Sequence, residues 1–187
     1  MMKILAISGS TKINSTSGNI LNNIAASYSA QLTLDIFNGI DKLPHFNPDL
    51  DGNDPPQVVK EFRNRIQSAD GVLFCTPEYV FSLPGSLKNA IEWCVSTTVF
   101  SNKPVAIIVA AASGEKAFES LVQIMTAIEA RIADSLLIKG AKAKIKAEGI
   151  TDQETSKAIK KLVISLVRAA GEVGVPTKYQ TGSTSTF

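Results

Sequence analysis

Three short segments carry residues whose types and spacing could do chemistry. The first, Gly9-Ser10-Thr11-Lys12-Ile13-Asn14-Ser15-Thr16-Ser17-Gly18-Asn19, gathers hydroxyls, carboxamides and one cation just ahead of an apolar pattern of helical spacing. A helix N-terminus presents unpaired amides and the positive end of the helix dipole, which favours an anion. Serine and threonine hydroxyls can add donors there, and Lys12 adds a point charge. One hydroxyl would satisfy an ordinary helix cap. The cluster exceeds that need and predicts a phosphate site. Neither GxGxxG nor GxxxxGK[ST] occurs in it, so a single terminal phosphate monoester fits better than a Rossmann pyrophosphate or a P-loop triphosphate.

The second segment reads Pro77-Glu78-Tyr79-Val80-Phe81-Ser82-Leu83-Pro84-Gly85 and leads into Ser86-Leu87-Lys88-Asn89-Ala90-Ile91-Glu92-Trp93. Two prolines stiffen its ends, Tyr79 and Phe81 offer aromatic surface, and free backbone N–H groups between them could donate to a flat heteroaromatic ring. A plain strand-to-helix turn with core aromatics is the competing reading. Trp93, at helical spacing, is expected in the core. The third segment, Ala110-Ala111-Ala112-Ser113-Gly114-Glu115-Lys116, is small enough to let a planar ligand approach the backbone. It could equally be a helix start capped by Ser113. His45, the one histidine, is read as a solvated loop residue; Glu78 is either paired at a subunit contact or solvated.

These segments need elements to position them. Short apolar runs at Lys3–Ser8, Leu32–Phe37, Gly71–Thr76 and Pro104–Val109, with a weak fifth at Leu136–Ile138, predict strands. Helical stripes lie between them: Ile20, Leu21 and Ile24; Val59, Phe62 and Ile66; Leu87, Ala90 and Ile91; then Phe118 through Met125 to Ile132. A last stripe runs from Ile159 to Val167. The stretch from Asn38 to Pro56 is rich in proline and glycine and reads as an irregular loop. Continuously apolar strands separated by helices predict a parallel sheet covered on both faces. The expected fold is a flavodoxin-like three-layer α/β sandwich with five parallel strands in the order 2-1-3-4-5. One domain is expected over residues 1–179, with a mobile tail over 180–187 that is rich in Ser, Thr and Gly.

Composition narrows the function classes. A net charge of +2, with no run of Lys and Arg, gives no footprint for nucleic acid. No apolar run is long enough to span a bilayer. The N-terminus reads as a core strand rather than a signal peptide. Cys75 and Cys94 have neither CxxC nor metal spacing, which suggests buried reduced thiols and a cytoplasmic setting. No catalytic triad and no metal-ligand set is expected.

At these three segments the chain resembles the NADPH-dependent FMN reductase family, which includes bacterial quinone, chromate and azo reductases. Gly9-Ser10-Thr11-Lys12-Ile13-Asn14-Ser15 is similar to the family's GS-x-R-x-x-S, with Lys12 in place of Arg. Pro77-Glu78-Tyr79, Ser82, Pro84-Gly85 and Leu87-Lys88-Asn89-Ala90-Ile91-Glu92-Trp93 follow its PEYN-x-S-x-PG-x-LKNAIDW. Leu43-Pro44 with Asn47-Pro48-Asp49 is similar to its loop after the second strand. The resemblance implies an FMN phosphate on Ser10, Lys12, Ser15 and the turn of Ser17, Gly18 and Asn19. It implies a flavin ring against the backbone of Pro77, Glu78, Tyr79 and Val80, with Phe81 nearby and the Ala112, Ser113, Gly114 loop at the other edge. Three departures stand out: the extra Ser17-Gly18, Val80 in place of the PEYN Asn, and Glu115-Lys116 where many members have glycines.

The implied activity is FMN-dependent reduction of a quinone, azo compound, metal oxyanion or free flavin by NADPH or NADH, with ping-pong kinetics. Hydride chemistry of this kind resides in the cofactor, consistent with the absence of a catalytic side-chain set. A homodimer or homotetramer is expected from the resemblance. Two other readings stay open from the residues: a flavodoxin-type electron carrier, and a non-redox module with a degenerate phosphate-ligand site.

Overall fold

In the computed structural model, which describes residues 1–172, five strands form one parallel sheet. They are β1 (Met2–Ser8), β2 (Leu32–Phe37), β3 (Gly71–Thr76), β4 (Pro104–Ala111) and β5 (Arg131–Lys139), in the order β2-β1-β3-β4-β5. The order predicted from the apolar runs is therefore the observed one. Residues 180–187, expected to form a tail, lie outside the described residues.

The central strands are buried on both faces, and their alternation splits the core in two. Leu5, Ile7, Val72, Phe74, Ile107 and Val109 face one layer. It is covered by α2 (Gln57–Ser68), α3 (Gly85–Glu92) and α4 (Glu115–Ala127). Ile4, Ala6, Leu73, Cys75, Ile108 and Ala110 face the other, under α1 (Thr16–Ser27) and α6 (Gln153–Glu172). Each fully buried aliphatic side chain contributes roughly 1.5–3 kcal/mol of transfer free energy, so one-residue slips of register are strongly opposed.

Two boundaries differ from the expectation. The fifth strand is long, Arg131–Lys139, and Ile132 belongs to it rather than to the fourth helix. Its side chains are mostly half-buried because it is an edge strand, so its apolar pattern was diluted. A register shift against β4 lets Val105 pair with Ile132 while Ala106 pairs with Asp134. Beyond it lie a short helix, α5 (Ala141–Lys144), and a hairpin of β6 (Ile145–Lys146) and β7 (Gly149–Ile150). Such two-residue strands leave too short a pattern to read in sequence.

The proline-rich stretch after β2 contains two 3-10 turns, Ile40–Lys42 and Pro48–Leu50. Side chains of the motif after Pro84 hold it down. Asn89 donates to the Pro44 carbonyl at 3.0 Å and accepts from the Phe46 N–H at 2.7 Å. The Trp93 indole N–H donates to the same Pro44 carbonyl at 2.7 Å, and its ring lies edge-on to Phe46. Trp93 is completely buried, as expected of a core residue whose one polar atom must find a partner. Arg63 adds an ion pair with Asp51 and a bond from Nε to the Trp93 carbonyl at 2.6 Å.

Candidate functional site at the carboxyl edge of the sheet

Strands β1, β3 and β4 deliver their carboxyl ends to one edge, where the chain order reverses between β1 and β3. Ligands of open α/β sheets bind in that crevice. A cavity of about 580 Å³ lies there, bordered by Ser10, Lys12 and Asn14–Ser17 on one side, and by Pro77–Tyr79 and Ala110–Ala112 on the others. All three segments singled out in the sequence thus meet at one cavity. Its volume is within the range of small-ligand and cofactor sites.

The loop after β1 is built by short local bonds. The Ser8 hydroxyl donates to the Ser10 carbonyl at 3.1 Å and accepts from the Ser10 N–H at 3.2 Å. Ser10 Oγ accepts from the Lys12 N–H at 3.3 Å. Gly9 crosses so close to β3 that an added Cβ would stand 2.1 Å from Thr76 Oγ1, which explains the glycine without any ligand. Ser15 is the N-cap of α1: its Oγ accepts from the Gly18 N–H at 3.0 Å. Ser17, Gly18 and Asn19, expected as a turn, form the first turn of that helix instead. The amides of Thr16 and Ser17 have no protein acceptor among the described residues, and both residues border the cavity.

The second loop closes on itself as a two-residue hairpin. Tyr79 N–H donates to the Ser82 carbonyl and Ser82 N–H to the Tyr79 carbonyl, each at 3.0 Å. The tip residues Val80 and Phe81 have φ of 51° and 56°. This is the type I′ geometry, in which asparagine and glycine are preferred and a β-branched residue is strained. Tyr79, Val80 and Phe81 are 52%, 95% and 78% exposed, so the tip is an apolar knob in solvent. Val80 and Phe81 do not border the cavity; Pro77, Glu78 and Tyr79 do.

Glu78 is half-buried and in no ion pair among the described residues. Its carboxylate caps α4, accepting from the N–H groups of Gly114 at 3.2 Å, Lys116 at 2.9 Å and Ala117 at 3.0 Å. The N-cap of α4 is Gly114, in a left-handed conformation with φ of 97°, and not Ser113, which caps nothing. An added Cβ at Gly114 would approach Leu137 Cδ1 to 2.8 Å. β4 runs on to Ala111, so the third loop is shorter than expected, and Ala112 is its residue at the cavity. Ser113, which is exposed, and Gly114, which is buried, do not border it. His45 is exposed and away from the cavity.

Sequence reading missed one wall. Gly140, Ala141, Lys142 and Ala143, from the end of β5 and α5, complete the cavity and bring a second cation opposite Lys12. Neither Lys12 nor Lys142 is in an ion pair among the described residues. The only signal was position: this loop also follows a strand at the carboxyl edge, but β5 was too weakly patterned to end it correctly.

The residues present fit FMN. Orphaned amides at the start of α1, the hydroxyls of Ser10, Ser15 and Ser17, and two lysines suit a phosphate dianion at one end. The other end offers backbone and small side chains at Pro77–Tyr79 and Ala110–Ala112, suited to a flat ring. Gly18 and Asn19 turn away from this cavity, so Ser17 rather than Asn19 shares it with the ring wall.

A profile of the family described as NADPH-dependent FMN reductase matches residues 2–142. The chain belongs to that family. Its matched stretch holds the loops after β1, β3 and β4 and all five strands of the sheet. An NAD(P)H-dependent FMN reductase of Pseudomonas aeruginosa is 36% identical over 113 residues, 59% of this chain and 60% of that protein. A 2-hydroxy-1,4-benzoquinone reductase of a Burkholderia species is 36% identical over 110 residues, covering 57% and 59% of the two chains. The match therefore spans about three fifths of the length of these two relatives. Among solved structures, the flavoenzyme NAD(P)H:(acceptor) oxidoreductase FerB of Paracoccus denitrificans superposes with a TM-score of 0.76. It is 24% identical, and 94% of this chain and 100% of that one are covered; at that identity the likeness speaks for the flavodoxin-like fold.

Proposed function

We propose that this protein is an FMN-dependent NAD(P)H oxidoreductase. The observation that carries the reading is the single cavity at the switch point, anionic-ligand chemistry at one end and a backbone-lined slot at the other. FMN bound there would supply two-electron hydride chemistry between NADPH or NADH and a quinone, azo compound, metal oxyanion or free flavin. Ser10, Lys12, Ser15 and Ser17 hold the phosphate, aided by the Thr16 and Ser17 amides and Lys142. Pro77, Glu78, Tyr79 and Ala112 wall the ring through their backbones. Glu78 fixes the distance between the second and third loops, so the slot is set before any ligand enters. Relatives are named for FMN, benzoquinone and, in a Bacillus species, azo-compound reduction, which supports the flavin, quinone and azo acceptors of this range.

The exposed knob at Tyr79, Val80 and Phe81, beside the cavity mouth, supports a homodimer or homotetramer in which a neighbouring copy covers it. Two buried free thiols support a reducing, cytoplasmic setting. The deciding experiment is reconstitution with FMN followed by anaerobic titration with NADPH and NADH. The expected result is bound flavin that either nicotinamide bleaches, with parallel lines in two-substrate kinetics. Failure to retain FMN overturns the proposal, and flavin that neither donor bleaches points to an electron carrier instead.

A further inference from the structure

A second cavity, of about 370 Å³, opens on the other side of the loop after β1. Ser10, Lys12, Asn14 and Ser15 form the ridge that both cavities share. The far wall is the end of β2 with the 3-10 turn after it, through Ile36, Phe37, Asn38, Ile40 and Asp41. This crevice lies outside the carboxyl ends of β1 and β2, and none of Pro77–Tyr79 or Ala110–Ala112, the ring wall of the other cavity, borders it.

Its chemistry is distinctive. Four carboxamides, Asn14, Asn19, Asn22 and Asn38, border it, and none of their side chains is engaged in a hydrogen bond among the described residues. Between them lie apolar surfaces of Ile36, Phe37 and Ile40, with Ile13 at the rim, 85% exposed. Carboxamides supply both donor and acceptor, as the edges of a heterocyclic base require, and the apolar walls suit its faces. The charged lining is one cation, Lys12, on the ridge and one carboxylate, Asp41, on the far wall, so the crevice away from Lys12 suits an uncharged base and ribose better than phosphate. Asp41 follows β2 closely, the region from which an acidic residue accepts ribose hydroxyls in other dinucleotide-binding sheets. The missing GxGxxG removes that fold's pyrophosphate grip and leaves base and ribose recognition untouched.

Resting on the oxidoreductase reading above, we propose that this second cavity holds the adenosine half of the nicotinamide dinucleotide donor, with Lys12 between the two cavities near the dinucleotide's phosphates. The test uses the FMN-reconstituted protein and the double variant Asn22→Ala/Asn38→Ala, whose positions are both exposed or half-exposed and outside the FMN wall. AMP is expected to bind the parent protein by calorimetry, and the variant at least tenfold more weakly, with FMN affinity unchanged in both. In turnover, kcat/KM is expected to fall about tenfold for NADH but not for reduced nicotinamide mononucleotide, which lacks the adenosine. No AMP binding at millimolar concentration, equal AMP affinity in parent and variant, or equal losses with both donors overturns the inference. Calorimetry needs no turnover, so AMP binding in a protein that oxidises neither donor defeats the oxidoreductase reading and leaves the cavity's adenosine chemistry standing.

Discussion

The Glu78 carboxylate accepts a hydrogen bond from the Ala117 N–H at 3.0 Å, joining the loop after β3 to the first turn of α4. With its bonds to Gly114 and Lys116 it satisfies three of the orphan amides of that helix and complements its dipole. Glu78→Ala should destabilise the protein by about 1–3 kcal/mol, the range for losing a charged cap with several bonds. Glu78→Gln, which keeps one carbonyl acceptor, should cost less. Urea denaturation measures both, and FMN affinity should fall alongside because the two loops wall one cavity. Wild-type stability in Glu78→Ala would show that water replaces the carboxylate without loss.

The two lysines at the cavity can be separated from the ring contacts by choice of ligand. Lys12→Ala should weaken FMN by roughly 1.5–3 kcal/mol, the scale of a charge-assisted hydrogen bond. Both lysines are exposed, but Lys142 lies outside the loop that caps α1, so Lys142→Ala should have an effect of the same sign and about 1 kcal/mol or less, that of a screened point charge. Riboflavin, which has no phosphate, should bind both variants as it binds the parent. Fluorescence quenching titrations read all three, and an equal loss for riboflavin would place these lysines elsewhere than at the phosphate.

Val80 is a β-branched residue at φ of 51° with 95% of its surface in solvent, so it gains nothing from packing within the chain. Val80→Asn should therefore stabilise the isolated chain by about 1 kcal/mol, since asparagine tolerates left-handed backbone. That corresponds to a rise in Tm of roughly 2–4 °C for a protein of this size. An unchanged or lower Tm would mean that Val80 is buried in an assembly, where its apolar surface offsets the strain.

Burial pushes the thiols of Cys75 and Cys94 up to about 12. A group whose pKa is raised by folding stabilises fully below its unfolded pKa and loses that contribution as pH rises towards the folded value. The unfolded chain ionises its thiols from about pH 9, so stability should fall by about 1.4 kcal/mol per pH unit for each thiol between pH 9 and 12. Urea titrations at pH 8 and pH 10 should differ by about 1.4 kcal/mol per thiol, because only the upper half of that interval lies above the unfolded pKa, and Cys75→Ala/Cys94→Ala should remove that difference. The native thiols should also resist a disulfide reagent at pH 8. Equal slopes in parent and variant would contradict the burial argument.

Much of this protein was legible before any coordinates. The apolar runs Ile4–Ile7, Val72–Cys75 and Val105–Val109 determined a buried parallel sheet, because a strand covered on both faces has no polar alternation to lose. The cluster from Ser10 to Asn19 and the Pro77–Trp93 motif determined which loops matter, since hydroxyls, amides and a cation ahead of a helix have a local reason to bind phosphate. What the sequence could not decide was direction and company. Only the tertiary structure turned Glu78 back onto α4, pinned Pro44 beneath Asn89 and Trp93, and brought Lys142 across from Lys12. It also sent Ser17 to one cavity and Asn19 to the other, a consequence of α1 starting at Thr16. Each of these depends on contacts between residues far apart in the chain, fixed by the order in which β1, β3, β4 and β5 lie side by side. Local pattern supplies the parts of the site, and the sheet edge decides which of them face one another.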